Sequence, residues 1–268
     1  MKNKQVSDFL FQLFALLISI IIVHAVYVTV VRPNANAIIE RQRAQQEEMG
    51  RYEASNSVFI ILKDYEQELE IILGLWVIAI IGQKVRNVLN ERRVFDQPLL
   101  DVKPGTSILP EDVRQYMRPL QALPDPERES LLPRALMTAL QRFATTRSIQ
   151  DVSESVRETC DTEADRLDSE LSMVRYVIWA IPSIGFIGTV RGIGSALAEA
   201  PRAVEGDILG VTVSLGTAFN STLVALLISI VIMFLTHQLQ LMQERLVLDA
   251  QKYCDVNLLR HLQVREGT

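Results

Sequence analysis

The chain has 268 residues, 49% of them hydrophobic, and its mean hydropathy is +0.17. Soluble domains usually fall below zero on that scale, so the composition indicates membrane-spanning segments. The net charge of -5 comes without a basic tract, which argues against nucleic-acid binding. Two cysteines, Cys160 and Cys254, are too few for a disulfide framework.

Motifs typical of enzymes and metal sites are sparse. The histidines His24, His237 and His261 stand alone, and isolated histidines are more often packed or solvated than metal-binding. Gly192-Ile-Gly194 lacks the third glycine of a dinucleotide-binding loop, and the sequence contains no phosphate-binding loop motif. We therefore expect no enzymatic activity, no cofactor and no metal.

The first apolar run, residues 9–31, contains no Asp, Glu, Lys or Arg. A helix of that length crosses a hydrocarbon core of about 30 Å, and the lysines ahead of it favour a cytoplasmic N-terminus. A signal peptide is the alternative, because Ala35-Asn-Ala37 fits a cleavage pattern. Since the run is longer than a usual signal, we favour an uncleaved transmembrane helix within residues 1–31.

The second predicted span follows a charged segment. Residues 32–70 are rich in helix-forming residues, and we interpret them as an extracytoplasmic helical hairpin or one long helix with a solvated face. The apolar run 71–83 is shorter than the roughly 20 residues of a spanning helix. Lys84 and Arg86 follow it at once, which is typical of the cytoplasmic side. We predict that residues 71–83 form the second transmembrane helix.

The largest polar segment, residues 84–173, is predicted to be cytoplasmic and helical. Prolines make its first half irregular with short helices, whereas Pro133 suits the first turn of a helix. Leu132, Leu136 and Leu140 then recur at helical spacing. The amphipathic run 148–173 has no helix breaker, so we expect one helix that continues into the membrane.

Residues 174–236 are predicted to form a transmembrane hairpin with a polar turn at 199–207. The amphipathic segment 237–268 is predicted to be a cytoplasmic helix. The fold class is therefore all-α: a polytopic helical membrane protein with long helices extending into the cytoplasm and both termini inside.

Small residues are frequent in both helices of the hairpin, where they allow close approach of backbones. Gly185, Gly188 and Gly192 lie on one face of the third span. The fourth span carries two rows at i+4 spacing. Faces this wide predict more than one helical neighbour, and hence an oligomer or a partner helix. The rows are Gly210, Ser214, Ala218 and Thr222, and Thr217, Ser221, Ala225 and Ser229.

Polar residues in the hairpin are candidates for an ion pathway. A lone membrane threonine often bonds the carbonyl one turn back, but an unsatisfied amide in hydrocarbon costs several kcal/mol, so a cluster needs water or a polar partner. Pro182 can kink its helix. Arg191 either faces the bundle interior or reaches the interface. The candidates are Thr189, Thr217, Asn220, Ser221 and Thr222.

The hairpin resembles the last two helices of the MotA/TolQ/ExbB proton channel family. The family's penultimate helix has a proline followed by Gly-x-x-Gly-Thr-Val-x-Gly-Ile, and here Pro182 precedes GFIGTVRGI at 185–193. The family's Ala-Leu-x-x-Thr-x-x-Gly-Leu pattern is matched more loosely by AFNSTLVAL at 218–226. The resemblance covers roughly residues 148–239. The departures are Arg191 for an apolar residue or tryptophan, Ala225 for a glycine, Ser229 near the place of a proline, and Thr217 where the ExbB branch has a glutamate.

The resemblance implies a homopentamer in the lipid of the bacterial inner membrane, around two helices of a dimeric ExbD-, TolR- or MotB-like single-span partner. The last two spans contain no carboxylate, so the partner's membrane aspartate would carry the proton. Thr189 and Thr222 would line the pathway beside it. Proton passage would then drive rotation of the ring about the partner.

Two other functions stay open on the sequence alone. A non-conducting oligomeric scaffold would use the same small-residue faces, and a receptor would use residues 38–70 as its outer domain. The sequence separates neither protons from sodium nor transport from envelope integrity, motility or defence.

Overall fold

The computed structural model describes residues 2–49, 57–100, 102 and 105–264. It confirms the all-α fold: in these ranges the only β-type pairing is an isolated bridge between Ile108 and Leu262. The chain divides into an apolar unit, Met1–Gly82 with Met173–Thr236, and a polar unit, Gln83–Ser172 with His237–Thr268. The limits of these units fall next to the predicted limits of the membrane and cytoplasmic segments.

Long helices dominate both units. Helix α1 passes through a π-helical turn, Tyr27–Val31, directly into α2, and a 3₁₀ turn, Leu259–His261, follows α10. The helices in chain order are α1 (Lys2–Val26), α2 (Arg32–Met49), α3 (Val58–Leu62), α4 (Tyr65–Val94), α5 (Val113–Gln121), α6 (Asp125–Arg128), α7 (Leu131–Thr146), α8 (Ile149–Ser169), α9 (Ser172–Val204) and α10 (Leu209–Asn257).

Three helical stretches of the described chain are long and apolar enough to cross a membrane: Val6–Gln42, Ile149–Val204 and Leu209–His261. Large apolar side chains remain exposed along them, for example Trp179 at 79% and Phe219 at 68%. Apolar surface of this extent needs lipid or another protein to cover it. Helix α4, which contains residues 71–83, is not among the three, so the second span stays a prediction.

The segment between the first two predicted spans doubles back on itself, which excludes one long helix. The Trp76 indole donates a hydrogen bond to the Gln12 carbonyl, and Glu68 contacts both His24 and Arg32. Contacts in this reversed order show that α4 runs antiparallel to α1. Residues 50–56 lie outside the described residues.

The hairpin turn is shorter than the predicted segment 199–207. Helix α9 continues through Pro201 to Val204. Gly206 then adopts a left-handed conformation with φ of 103°, and the Asp207 N–H bonds the Arg202 carbonyl at 3.0 Å. This six-residue closing bond around a left-handed glycine is a Schellman motif, which supplies a partner for an end carbonyl of the helix.

Two helices end earlier than predicted. The expected helix over 148–173 is interrupted at Glu170 and Leu171, where the Leu171 N–H bonds the carbonyl only three residues back. The C-terminal helix ends at Asn257 rather than running through 237–268. Beyond it the chain pairs with Ile108, whose N–H bonds the His261 carbonyl at 2.7 Å. This backbone pairing with Ile108 occurs where the sequence predicted a continuation of the helix.

The polar unit has an apolar core between α7, α8 and the end of α10. Leu132, Leu136 and Leu140 are fully buried in it, as their spacing predicts, and Pro133 lies in the first turn of α7. Both cysteines also belong to this core. Burial raises the pKa of the Cys160 thiol to about 11 and that of Cys254 to about 12. Both therefore stay protonated, unreactive thiols at neutral pH.

Acid should destabilise the polar unit through Glu163 of α8, which is 2% exposed and ion-paired with Arg134 and Arg166. Burial alone would raise the pKa of this carboxyl, but hydrogen bonds and charge from Arg166 and Arg134 lower it overall. A carboxyl with a lowered folded-state pKa adds stability above its unfolded pKa of about 4.3, and that stability is lost as the pH falls through the folded pKa.

We expect the protection of amide hydrogens in α7 and α8 from exchange, corrected for the pH dependence of the intrinsic exchange rate, to fall below about pH 4. Replacing Glu163 by glutamine should lower the free energy of opening at neutral pH by roughly 1–3 kcal/mol, so that exchange is faster there. The further loss of protection on acidification should be smaller than in the wild type. The exposed Glu158 on the same helix provides the control, Glu158→Gln. Equal exchange in the two variants would refute the assignment.

Candidate functional site

The hairpin helices of the apolar unit meet along the three glycines of α9, here called the glycine seam. A Cβ atom added at Gly192 would lie 2.7 Å from the backbone nitrogen of Ala218. At Gly185 it would lie 2.5 Å from the Ala225 Cβ, and at Gly188 2.5 Å from the Ser221 Cβ. The order of these contacts is antiparallel. The seam therefore holds α9 and α10 at a backbone separation that no larger residue allows.

Thr189 and Thr222 contact each other across this seam. Their Oγ1 atoms lie 2.5 Å apart. Thr189 also reaches the Ala218 carbonyl at 3.0 Å, and Thr222 reaches the Gly185 carbonyl at 3.2 Å. Each threonine thus bonds the carbonyl four residues before the other one. This reciprocal arrangement, the threonine pair, differs from the ordinary bond to a carbonyl one turn back, although Thr189 lies 3.2 Å from the Gly185 carbonyl as well.

Helix α4 also packs against α10, in the parallel direction. Lys63 Nζ lies 3.5 Å from Thr217 Oγ1, and Gln67 Nε2 lies 3.3 Å from Ser221 Oγ. Further along, a Cβ at Gly74 would meet Ile228 at 3.0 Å. Four alternating spans require α4 and α10 to be parallel and α9 to oppose both. The observed directions agree with that requirement.

Arg191 is neutralised within the chain. Its guanidinium forms a two-point ion pair with Glu66 at the start of α4, with Nε and Nη2 each 2.7 Å from a carboxylate oxygen. Asp64 lies 3.8 Å away. A bidentate pair of this kind is stronger than a single contact and fixes orientation. The arginine is 46% exposed, and its ion pair joins α9 to the first turn of α4.

Comparison with known proteins adds one finding. Residues 127–252 match the model of the MotA/TolQ/ExbB proton channel family. This stretch of the chain is similar to that family. The match extends beyond the resemblance at about 148–239 in both directions and contains the glycine seam and the threonine pair. Neither the comparison with curated proteins nor that with solved structures found a match.

The remaining candidate residues lie around the threonine pair rather than in it. Ser221 bonds the Thr217 carbonyl one turn back, at 3.0 Å, and fills the space opposite Gly188. Asn220 is half-buried beside it. Pro182 lies inside α9, which continues through it. Across the seam the structure thus brings Thr189 and Thr222 into direct contact, while Ser221 bonds Gln67 of α4 and Thr217 lies beside Lys63, just before α4.

The small-residue rows of α10 do not by themselves argue for an oligomer, which corrects that step of the sequence argument. Ala218 and Thr222 of one row contact α9, and Ser221 of the other contacts α4. Two neighbours within one chain therefore suffice for both rows. Sequence analysis also missed Glu66 and Gln67, because it treated the acidic segment before α4 as a solvated face.

Proposed function

We propose that this chain is the ion-conducting subunit of an inner-membrane motor and that its threonine pair contacts a partner's carboxylate. The similarity of residues 127–252 to the proton channel family supports a proton-channel subunit. The threonine pair is the observation that carries the rest of the proposal. It is half-buried, so a side remains from which another helix can approach.

The number of hydrogen-bond donors and acceptors in the threonine pair suits a carboxyl that changes its protonation state. Two hydroxyl protons are shared among the Gly185 carbonyl, the Ala218 carbonyl and the two hydroxyl oxygens. A protonated carboxylic acid can donate to a free lone pair of either hydroxyl. A carboxylate needs a donor, so a hydroxyl must turn away from its carbonyl. The pair therefore responds to the arrival and departure of the proton.

The partner in this proposal is an ExbD-, TolR- or MotB-like single-span protein with a membrane aspartate, two copies of which lie inside a pentamer of this chain. Moving one charge through the membrane potential supplies roughly 2.3 kcal/mol per 100 mV. Repeated protonation and release of the aspartate would turn that energy into rotation of the ring. The exposed apolar faces of α9 and α10 provide surface for lipid and for neighbouring copies.

Proton flux in lipid vesicles tests the proposal against the non-conducting scaffold. The chain is reconstituted alone, with the adjacent-gene single-span protein, and with that protein after its membrane aspartate is changed to asparagine. We expect potential-driven flux only in the second preparation. A complex that assembles stably but conducts no ions in any preparation would support the scaffold instead.

A further inference from the structure

Glu70 of α4 is a carboxyl buried inside the apolar unit. It is 0% exposed. With Gln67 and Gly74 it shares a face of α4, since spacings of three and four residues follow the helical repeat, and those two residues contact α10. The register of these contacts places Glu70 level with the turn of α10 that contains Thr222. A carboxyl of this chain therefore lies at the depth of the threonine pair.

Glu70 differs from its acidic neighbours because it has no hydrogen-bond donor or cation among the described residues. Glu66 is paired with Arg191, and Glu68 is paired with Arg32 and His24. Both carboxyl oxygens of Glu70 are fully buried without a partner. A charged carboxylate in such a place lacks both solvation and a counter-ion, so the protonated acid is strongly favoured there.

Other buried polar atoms of the apolar unit also lack partners. They are one Asp64 carboxylate oxygen, the Tyr27 hydroxyl, the Gln67 amide oxygen and the Ser229 hydroxyl. Tyr27, in the π-helical turn, is 2% exposed. Gln67 lies one turn before Glu70 and bonds Ser221 through its amide nitrogen. A hydroxyl such as that of Tyr27 can accept a hydrogen bond from a neutral carboxyl or donate one to a carboxylate, whereas the Gln67 amide oxygen can only accept one.

We infer that Glu70 is an exchangeable proton-binding site carried by this chain itself, at the depth of the threonine pair. Only an O–H bond forms or breaks: a proton from water, or from another carboxylic acid, adds to the carboxylate and later returns. Gln67, one turn before Glu70, hydrogen-bonds Ser221, and Ser221 faces Gly188 of the glycine seam. Any contribution to proton flux depends on the proposed function, but proton binding by Glu70 does not.

Infrared spectroscopy of the full chain in lipid vesicles, without a partner, tests the inference. At neutral pH we expect a carbonyl stretching band of a protonated carboxylic acid. It should shift after exchange into D₂O and be lost in Glu70→Gln, whose amide has the shape of the neutral acid. Glu66→Gln should keep the band, because Glu66 is ion-paired.

The inference is overturned if the wild-type spectrum lacks this band, if Glu70→Gln retains it in full, or if D₂O leaves it unshifted. Helical circular dichroism of each variant checks that the fold is kept, and Glu70→Asp, which retains an acid, should restore a band. Because no partner or flux is needed, failure of the motor proposal in the vesicle flux experiment leaves this outcome unaffected.

Discussion

Replacing Gly192 by alanine will lower the thermal unfolding midpoint of the protein and abolish most of its ion flux. The added Cβ would lie 2.7 Å from the backbone nitrogen of Ala218 and 2.8 Å from its Cα. Backbone atoms cannot turn away, so α9 and α10 must separate. Overpacking costs about 1–3 kcal/mol, which corresponds to roughly 5 °C for a chain of this size. Separation also breaks the contact between Thr189 and Thr222.

Gly194, two residues later on the same helix, is the matched control. A Cβ there meets nothing within 4 Å. Because alanine favours helix more than glycine does, Gly194→Ala should match the wild type or slightly exceed it in thermal stability. Circular dichroism melts of both variants in the same lipid give the comparison. Equal midpoints would show that the seam does not hold the helices together.

Replacing Thr222 by valine will reduce proton flux by roughly ten- to a hundredfold, the effect of losing one or two hydrogen bonds of about 1–3 kcal/mol. Valine keeps the volume of threonine, so the seam stays packed. The hydroxyl that reaches Thr189 and the Gly185 carbonyl is lost. The flux of vesicles containing the chain and its partner measures the effect.

Two controls separate the hydroxyl from the helix that carries it. Thr222→Ser retains the hydroxyl and should retain most of the flux. Thr212, earlier on α10, bonds the Ile208 carbonyl one turn back at 3.0 Å, so Thr212→Val should conduct like the wild type. Wild-type flux from Thr222→Val would show that the threonine pair serves packing alone.

The hairpin could be predicted from the sequence because its signals are local. Apolar runs of spanning length indicate helices, and glycines at 185, 188 and 192 fall on one face by the helical repeat alone. The motif around Thr189 then indicated which surface of α9 meets α10. Pro201 and its charged neighbours suggested an early end to α9, but the left-handed Gly206 is where the helix closes.

The role of α4 could not be predicted because its contacts join residues far apart in the sequence. Glu66 lies in a segment whose charge pattern is typical of a solvated surface, and nothing local pairs it with Arg191. Glu70 sits at the last position before an apolar run, where an interfacial carboxyl is the ordinary interpretation. Only the parallel packing of α4 on α10 places both beside the hairpin.

Cysteine cross-linking tests most directly whether the partner's carboxylate reaches the threonine pair. One cysteine replaces Thr222 and another replaces the membrane aspartate of the single-span partner, and the assembled complex is oxidised in membranes. Cys160 and Cys254 are buried and should not react. We predict a disulfide-linked product from Thr222→Cys and none from Leu227→Cys, an exposed position on the same helix. A product from Leu227→Cys and none from Thr222→Cys would contradict the account.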